Sequence, residues 1–121
     1  MKKLQKYIAK FEKDRGWFDA EPANLAKSVS IESAELLELF QWGNHSVVEL
    51  KKNKEKLNDL KKELADVMIY CIHLGTLMDF ELEKIIIDKM KYNEKKFPVG
   101  RVRDKDGEYL KIKKEYRKKG Y

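Results

Sequence analysis

The sequence has little of several residue types that shape small folds. One cysteine, two prolines and six glycines occur in 121 residues. The single cysteine, Cys71, cannot form an intrachain disulfide, and no cluster of cysteine and histidine indicates a zinc site. Few prolines and glycines leave few turn signals, which disfavours a β fold built of many short strands. These absences favour long helices around a core without cross-links.

Long apolar runs are also missing. None approaches the roughly 20 residues that a membrane-spanning helix needs. The basic start, Lys2 and Lys3, is not followed by the apolar stretch of a secretory leader. We therefore expect a cytoplasmic protein with no membrane partner.

Charge is plentiful but unevenly placed. The formal net charge is +6, and residues 99–121 alone contain nine Lys or Arg against four Asp or Glu. The rest of the chain is close to neutral. Basic tails can bind nucleic acid, but most are solvated surface, so the charge pattern argues against nucleic acid as the main partner.

Apolar residues recur at helical spacing in four long segments, which predicts an all-α, four-helix-type bundle. Three of these stripes are Leu4, Tyr7, Ile8 and Phe11; Leu57, Leu60, Leu64, Val67, Met68, Cys71 and Ile72; and Leu82, Ile85, Ile86 and Met90. The remaining segment runs from the loop around Pro22 to about Trp42. Asp79 is the expected N-cap of the last helix, and Ser46 with Glu49 is the expected capping box of a short lysine-rich stretch.

The chain is predicted to form one domain over residues 1–98, followed by a short basic C-terminal tail over residues 99–121. Asp106 and Gly107 give a turn signal between short alternating runs. The alternation is consistent with a small hairpin. A segment that orders only against a partner and a disordered tail are the alternatives.

Two pairs of acids stand at equal spacing on two of the predicted helices. They are Glu32 with Glu35 and Glu63 with Asp66. Residues three apart project from one side of a helix, and both pairs border an apolar face, so antiparallel packing brings them together. Such carboxylates repel unless a cation neutralises them, and oxygen ligands suit Mg²⁺ or Mn²⁺. On spacing alone, a solvated acidic face is an equal alternative.

The segment "SIESAELLELFQWG", followed by "ELADVMIY", resembles the MazG-like, all-α nucleoside triphosphate pyrophosphatases. Their pattern is E-x-x-E, a spacer, then E-x-x-D. The resemblance extends through "DRGW", "NLAKSVSIE" and "KMKYNEKKFP" and is strongest to the compact dCTP-pyrophosphatase branch. It implies Mg²⁺-dependent hydrolysis of a nucleoside triphosphate, with dCTP or a modified analogue as the leading substrate. The products would be the monophosphate and pyrophosphate, and the role would be removal of unwanted nucleotides from the pool.

The resemblance also implies roles for individual residues. The paired acids would be both the metal ligands and the catalytic residues, with Mg²⁺ as the ion and Mn²⁺ as the alternative: Glu32, Glu35, Glu63 and Asp66. The remaining matched positions would bind substrate, the tryptophans through the base and the others through the phosphates: Trp17, Trp42, Tyr70, Lys89, Asn93 and Lys96. Glu38 is either the general base or a surface acid. Each aromatic residue in this set is also consistent with ordinary core packing.

Two features depart from the resemblance. The loop "FDAEP" lacks a histidine that close relatives carry there, so we expect looser selection among bases. The K-Y-P of the family is Lys96-Phe97-Pro98 here. Family members assemble as homodimers or homotetramers with sites between subunits, which would let Trp17 or Lys96 serve a neighbour's site. The alternatives to the enzyme are a non-catalytic helical nucleic-acid-binding module and a nucleotide sensor.

Overall fold

The computed structural model describes residues 1–102 and 107–120. All regular structure in these ranges is helical, which confirms the all-α prediction. The elements are α1 (Lys2–Asp14), α2 (Pro22–Glu38), α3 (Val47–Lys52), α4 (Lys54–Leu77), α5 (Leu82–Lys96), α6 (Val99–Val102) and α7 (Glu108–Lys118). Within these ranges, no helix combines the length and apolar character needed to cross a membrane.

The chain divides into two compact units, Met1–Leu82 and Glu83–Tyr121. The first unit holds α1 to α4, and the second holds α6, α7 and all of α5 beyond its first residue. The predicted boundary at residue 98 falls in the short connection between α5 and α6. That boundary stays a prediction.

In the first unit the long helix α4 contacts α1, α2 and α3. Ile8 of α1 and Ile72 of α4 meet Leu82 in the buried core. Gln5 joins the two ends of this unit, because its Nε2 donates to Thr76 Oγ1 at 3.0 Å and its Oε1 accepts from the Leu82 N–H at 3.3 Å. The α1–α4 contact is therefore held by polar bonds as well as by apolar packing.

The predicted apolar face of α1 is only partly right. The structure buries Ile8 together with Gln5, Ala9 and Glu12, whereas Tyr7 is 75% exposed. Two polar residues thus occupy the inner face, because their side chains find bonding partners on α4 and the loop after it. Hydrophobic spacing alone cannot reveal such a face.

Asp79 ends α4 instead of capping α5, so this N-cap prediction is wrong. Its φ is +58°, and its N–H donates to Thr76 O at 3.0 Å. The next N–H, that of Phe80, donates to Gly75 O at 2.9 Å. This pair of bonds is a Schellman end, and aspartate tolerates its left-handed position better than most residues that have a side chain.

The segment between α2 and α4 also differs in part from the prediction. α2 ends at Glu38, earlier than Trp42, and a series of turns follows. Ser46 caps α3 as expected, because its side chain accepts from the Glu49 N–H at 3.2 Å.

The tail is helical where it is described, so the hairpin is wrong for residues 108–118. Asp106, half of the predicted turn signal, lies outside the described residues. On α7, Tyr109, Ile112 and Tyr116 share one face at helical spacing. Tyr109 stacks on Phe97 with ring centroids 5.0 Å apart, and the Tyr116 ring packs edge-on against Tyr92. The hairpin prediction is wrong because the alternating runs of the tail are too short to distinguish the two-residue period of a strand from the 3.6-residue period of a helix.

The packing of α7 can be tested at two of its aliphatic residues. Ile112 is 0% exposed, so Ile112→Ala should lower the free energy of unfolding by about 2–5 kcal/mol. Leu110 is 67% exposed, so Leu110→Ala should change the same free energy by less than about 0.5 kcal/mol. Urea unfolding followed by circular dichroism measures both. Equal effects of the two substitutions would show that α7 does not pack through Ile112.

Candidate functional site

The packing of α2 on α4 brings the two pairs of acids together. Carboxylate oxygens of Glu32, Glu63 and Asp66 all lie within 4.8 Å of one another. Glu35 lies beside this group, since its carboxyl interacts with both Glu32 and Glu63. We call these four residues the acid cluster.

Hydrogen bonding, partial burial and repulsion between neighbouring charges together raise the pKa values of two residues in the acid cluster, Glu32 and Glu63. For Glu32 the main cause is hydrogen bonding with the Glu35 carboxyl, followed by partial burial and the neighbouring charges. For Glu63 the main cause is partial burial, followed by the charge of Glu35. The charge of Glu38 also raises the pKa of Glu63, so Glu38 borders the cluster.

The acid cluster fits a divalent cation. Glu32 Oε2 and Glu63 Oε2 are both buried and meet no hydrogen-bond donor among the described residues. Buried carboxylate oxygens without donors are costly unless a cation or a proton satisfies them. Several carboxylate oxygens around one point are the ligands that Mg²⁺ and Mn²⁺ prefer.

A pocket of about 390 Å³ adjoins the acid cluster. Its lining combines aromatic and aliphatic side chains with a few polar groups: Phe11, Glu12, Trp17, Ala20, Asn24, Leu25, Ser28, Asp66, Ile69, Tyr70 and His73. Asp66 belongs both to this lining and to the acid cluster. A group bound in the pocket would therefore lie next to the carboxylates.

The end of α1 positions one wall of the pocket. Gly16 adopts a φ of +72°, and the next N–H, that of Trp17, donates to Glu12 O at 2.8 Å. The Trp17 ring packs edge-on against Phe11 with centroids 6.1 Å apart, yet it stays 61% exposed. A half-open indole at a pocket wall offers a flat surface to a ring-shaped ligand.

The pocket also contains a buried ionisable pair that sequence reasoning missed. Glu12 Oε2 contacts His73 Nδ1, and both residues are 5% exposed. His73 Nε2 lies 2.8 Å from Phe18 O, and the Phe18 ring stacks on the imidazole. The sequence signal for this pair is the position of Glu12. This acid lies one helical turn after Ile8 and therefore on the same, inner side of α1.

The other predicted site residues lie in different surroundings. Tyr70 lines the pocket with Asp66, as expected for a residue one turn further along α4. Trp42 is 91% exposed in the turns after α2 and is not part of the pocket lining in the described part of the chain. Of the two tryptophans, Trp17 lines this pocket, and binding of a base by Trp42 stays a prediction.

The three predicted phosphate-binding residues of α5 belong to the second unit. Lys89 Nζ lies 4.4 Å from the centroid of the Tyr92 ring, and Lys96 Nζ lies 5.2 Å from that of Tyr116. Asn93 is half-buried on the same helix. Their contacts with a phosphate stay predictions.

Together, the fold and the site define an all-helical protein with a carboxylate cluster beside an aromatic pocket. Residues 27–112 match the model of the MazG-like family. This match covers more than half of the chain, so the chain belongs to that family. The match continues into α7, beyond the predicted boundary at residue 98.

Individual relatives point the same way. The chain is 32% identical over 99 residues to dCTP pyrophosphatase 1 of Rattus norvegicus, covering 79% of this chain and 58% of that protein. It is 27% identical over 111 residues to dCTP pyrophosphatase 1 of Homo sapiens, covering 90% and 65%. The chain thus spans less than two thirds of the length of these relatives. The crystal structure of a pyrophosphatase from Archaeoglobus fulgidus superposes with a TM-score of 0.71 at 37% identity, covering 81% of this chain and 92% of that one.

The raised pKa values predict how pH affects stability without metal. Because Glu32 and Glu63 hold protons more tightly when folded, the stability of the metal-free protein should fall as pH rises above the usual glutamate range. Glu32→Gln removes one of the repelling charges and should raise the melting temperature near pH 7. Thermal unfolding in a chelator from about pH 4 to pH 8 measures this, because the benefit must vanish once the acids are protonated.

Glu94→Gln is the matched control for this prediction, since Glu94 is an exposed acid of the second unit. It should leave the melting temperature unchanged at every pH. A lower melting temperature for Glu32→Gln than for the wild type at neutral pH would contradict repulsion within the cluster.

Proposed function

We propose that this chain hydrolyses dCTP, or a modified analogue, to the monophosphate and pyrophosphate in a reaction that requires Mg²⁺. The position of Asp66 carries the proposal, because this residue belongs to the acid cluster and to the pocket wall at once. A nucleotide whose base lies in the pocket would have its phosphates beside the carboxylates. The names of the relatives support the choice of dCTP. The biological role would be removal of unwanted nucleotides.

The acid cluster would hold Mg²⁺, with Mn²⁺ as the alternative, through Glu32, Glu35, Glu63 and Asp66. When bound, the ion supplies positive charge against the negative oxygens of the triphosphate. Glu35 contacts two of the other acids, so it would help to fix the orientation of the whole set.

The reaction needs water to attack the α-phosphorus. A new bond forms between the water oxygen and that phosphorus, and the bond to the bridging oxygen breaks, so that pyrophosphate leaves. One carboxylate of the cluster, or Glu38 at its border, takes the proton that water loses. The half-buried setting of Glu32 and Glu63 keeps most other water away from these oxygens.

Substrate binding is assigned to the aromatic and cationic residues. Trp17 would stack on the base, and the Tyr70 hydroxyl would donate to a phosphate oxygen next to Asp66. Lys89, Asn93 and Lys96 would bind the remaining phosphate charge.

We also propose that the chain acts as a homodimer or homotetramer. Apolar side chains on α2 and α4 stay exposed, among them Leu37, Leu64 and Met68. Trp42 is more exposed still and would stack on a base in the site of a second copy. Self-association would cover such surfaces, and most soluble oligomers are built from copies of one chain.

Product analysis tests the reaction directly. The protein should release pyrophosphate and monophosphate from dCTP with Mg²⁺ and none in a chelator. Glu35→Gln and Asp66→Asn should each lower kcat by at least about 100-fold, because each removes a charge that acts on the reacting phosphates. Glu94→Gln should retain full activity. Triphosphate binding without pyrophosphate release would identify a nucleotide sensor, and near wild-type turnover by both cluster variants would exclude the proposed centre.

The tryptophans can be tested separately. Trp17→Ala should weaken nucleotide binding by about 1–3 kcal/mol, the usual contribution of one base–aromatic stack, and should act mainly on KM. Trp42→Ala should raise KM without lowering the melting temperature, because its ring is 91% exposed within one chain. Trp42→Phe keeps a stacking ring and should restore most of the affinity. An unchanged KM in Trp42→Ala would remove Trp42 from the site.

A further inference from the structure

The buried pair of Glu12 and His73 has no part in the proposed hydrolysis. Both residues line the pocket, and both are 5% exposed. Burying an acid with a histidine costs free energy, since both groups lose water. The backbone of Phe18 and the stacked Phe18 ring hold the imidazole in one orientation.

The contacts of Glu12 and His73 determine that Glu12 Oε1 is a hydrogen-bond acceptor. A carbonyl oxygen only accepts, so His73 Nε2 must donate to Phe18 O. His73 Nδ1 and Glu12 Oε2 then share a single proton, whichever of them carries it. In both arrangements Glu12 Oε1 remains a hydrogen-bond acceptor.

Glu12 Oε1 is buried and meets no donor among the described residues. A buried acceptor without a donor is unfavourable, so a ligand group that reaches this oxygen and donates a hydrogen bond to it relieves that cost. Glu12 lines a pocket that has an indole at its wall and Asp66 in its lining. The ligand that suits these surroundings is a flat ring that carries an N–H donor.

We propose that Glu12, held in place by His73, determines base specificity by accepting a hydrogen bond from the exocyclic amino group of the nucleobase. The proposal rests on the proposed function and deepens it. Cytosine carries that amino group at the position where uracil and thymine carry a carbonyl oxygen. A carbonyl there would face the glutamate oxygen with no hydrogen between them, so uracil and thymine are rejected. The histidine that the loop "FDAEP" lacks is thus not the only means of reading the base edge.

The ratio of kcat/KM for dCTP to kcat/KM for dUTP tests this assignment. The wild type should prefer dCTP by about 10- to 100-fold, the usual effect of one hydrogen bond to a charged group. Glu12→Met keeps the length of the side chain but removes the acceptor, so the ratio should fall towards one. Glu12→Gln should keep most of the preference, because its amide N–H₂ can bond to His73 Nδ1 while its carbonyl oxygen replaces Glu12 Oε1.

A merely structural role for Glu12 gives a different result. It would lower both rates in Glu12→Met and leave the ratio at its wild-type value, which overturns the proposal. Equal kcat/KM for dCTP and dUTP in the wild type overturns it without any variant, even if Glu12→Met does not fold.

Equilibrium binding separates this proposal from the proposed function. Calorimetry should show that the wild type binds dCMP about 10-fold or more tightly than dUMP, whether or not any triphosphate is hydrolysed. Tighter binding of dCMP together with absent hydrolysis would overturn the enzymatic function and support the role of Glu12. Equal affinities would overturn the role of Glu12 alone.

Discussion

When α2 packs on α4, three carboxylates come to lie within 4.8 Å of one another in partly buried surroundings. Bringing like charges together costs free energy, and here two of the oxygens involved have no donor among the described residues. The metal-free site therefore holds charges whose repulsion a cation or a proton would relieve. The pocket adjoins this cluster, because Asp66 belongs to both, and Tyr70 lies beside Asp66 in the pocket lining.

The proposed site combines two kinds of contact in one pocket, one that gives affinity and one that gives selectivity. In the proposed function, the indole of Trp17 would offer a flat surface that any nucleobase can stack on, so it would contribute affinity without choosing a base. The oxygen of Glu12 has a direction and accepts only from a donor, so it distinguishes one base edge from another. Both groups depend on the end of α1, where the left-handed Gly16 lets the Trp17 N–H bond back to Glu12 O. A single turn of chain thus links the backbone of Trp17 to that of Glu12.

Structural features that depend on residues close together in the chain could be predicted from the sequence. Glu63 and Asp66 are one helical turn apart, so their shared direction follows from helix geometry alone. Prediction from the sequence failed where local rules conflict with bonds between distant segments. The inner face of α1 was misassigned because Gln5 and Glu12 find their partners on α4 and the loop after it. Asp79 was misassigned because a left-handed helix end and an N-cap favour the same residue type.

The sequence by itself determined the helical class, the two acidic pairs and the resemblance of the chain to one family. Each of these follows from the spacing of residues that are close together in the sequence. Only the tertiary structure decided that Glu12 and His73 form a pair, since they lie on different helices and neither stands in a local motif. It also decided that Trp17 lines the pocket while Trp42 is 91% exposed in the turns after α2, and that α7 is a helix. The physical reason is that helix periodicity is a local property. The burial of a charge, in contrast, depends on every segment that packs around it.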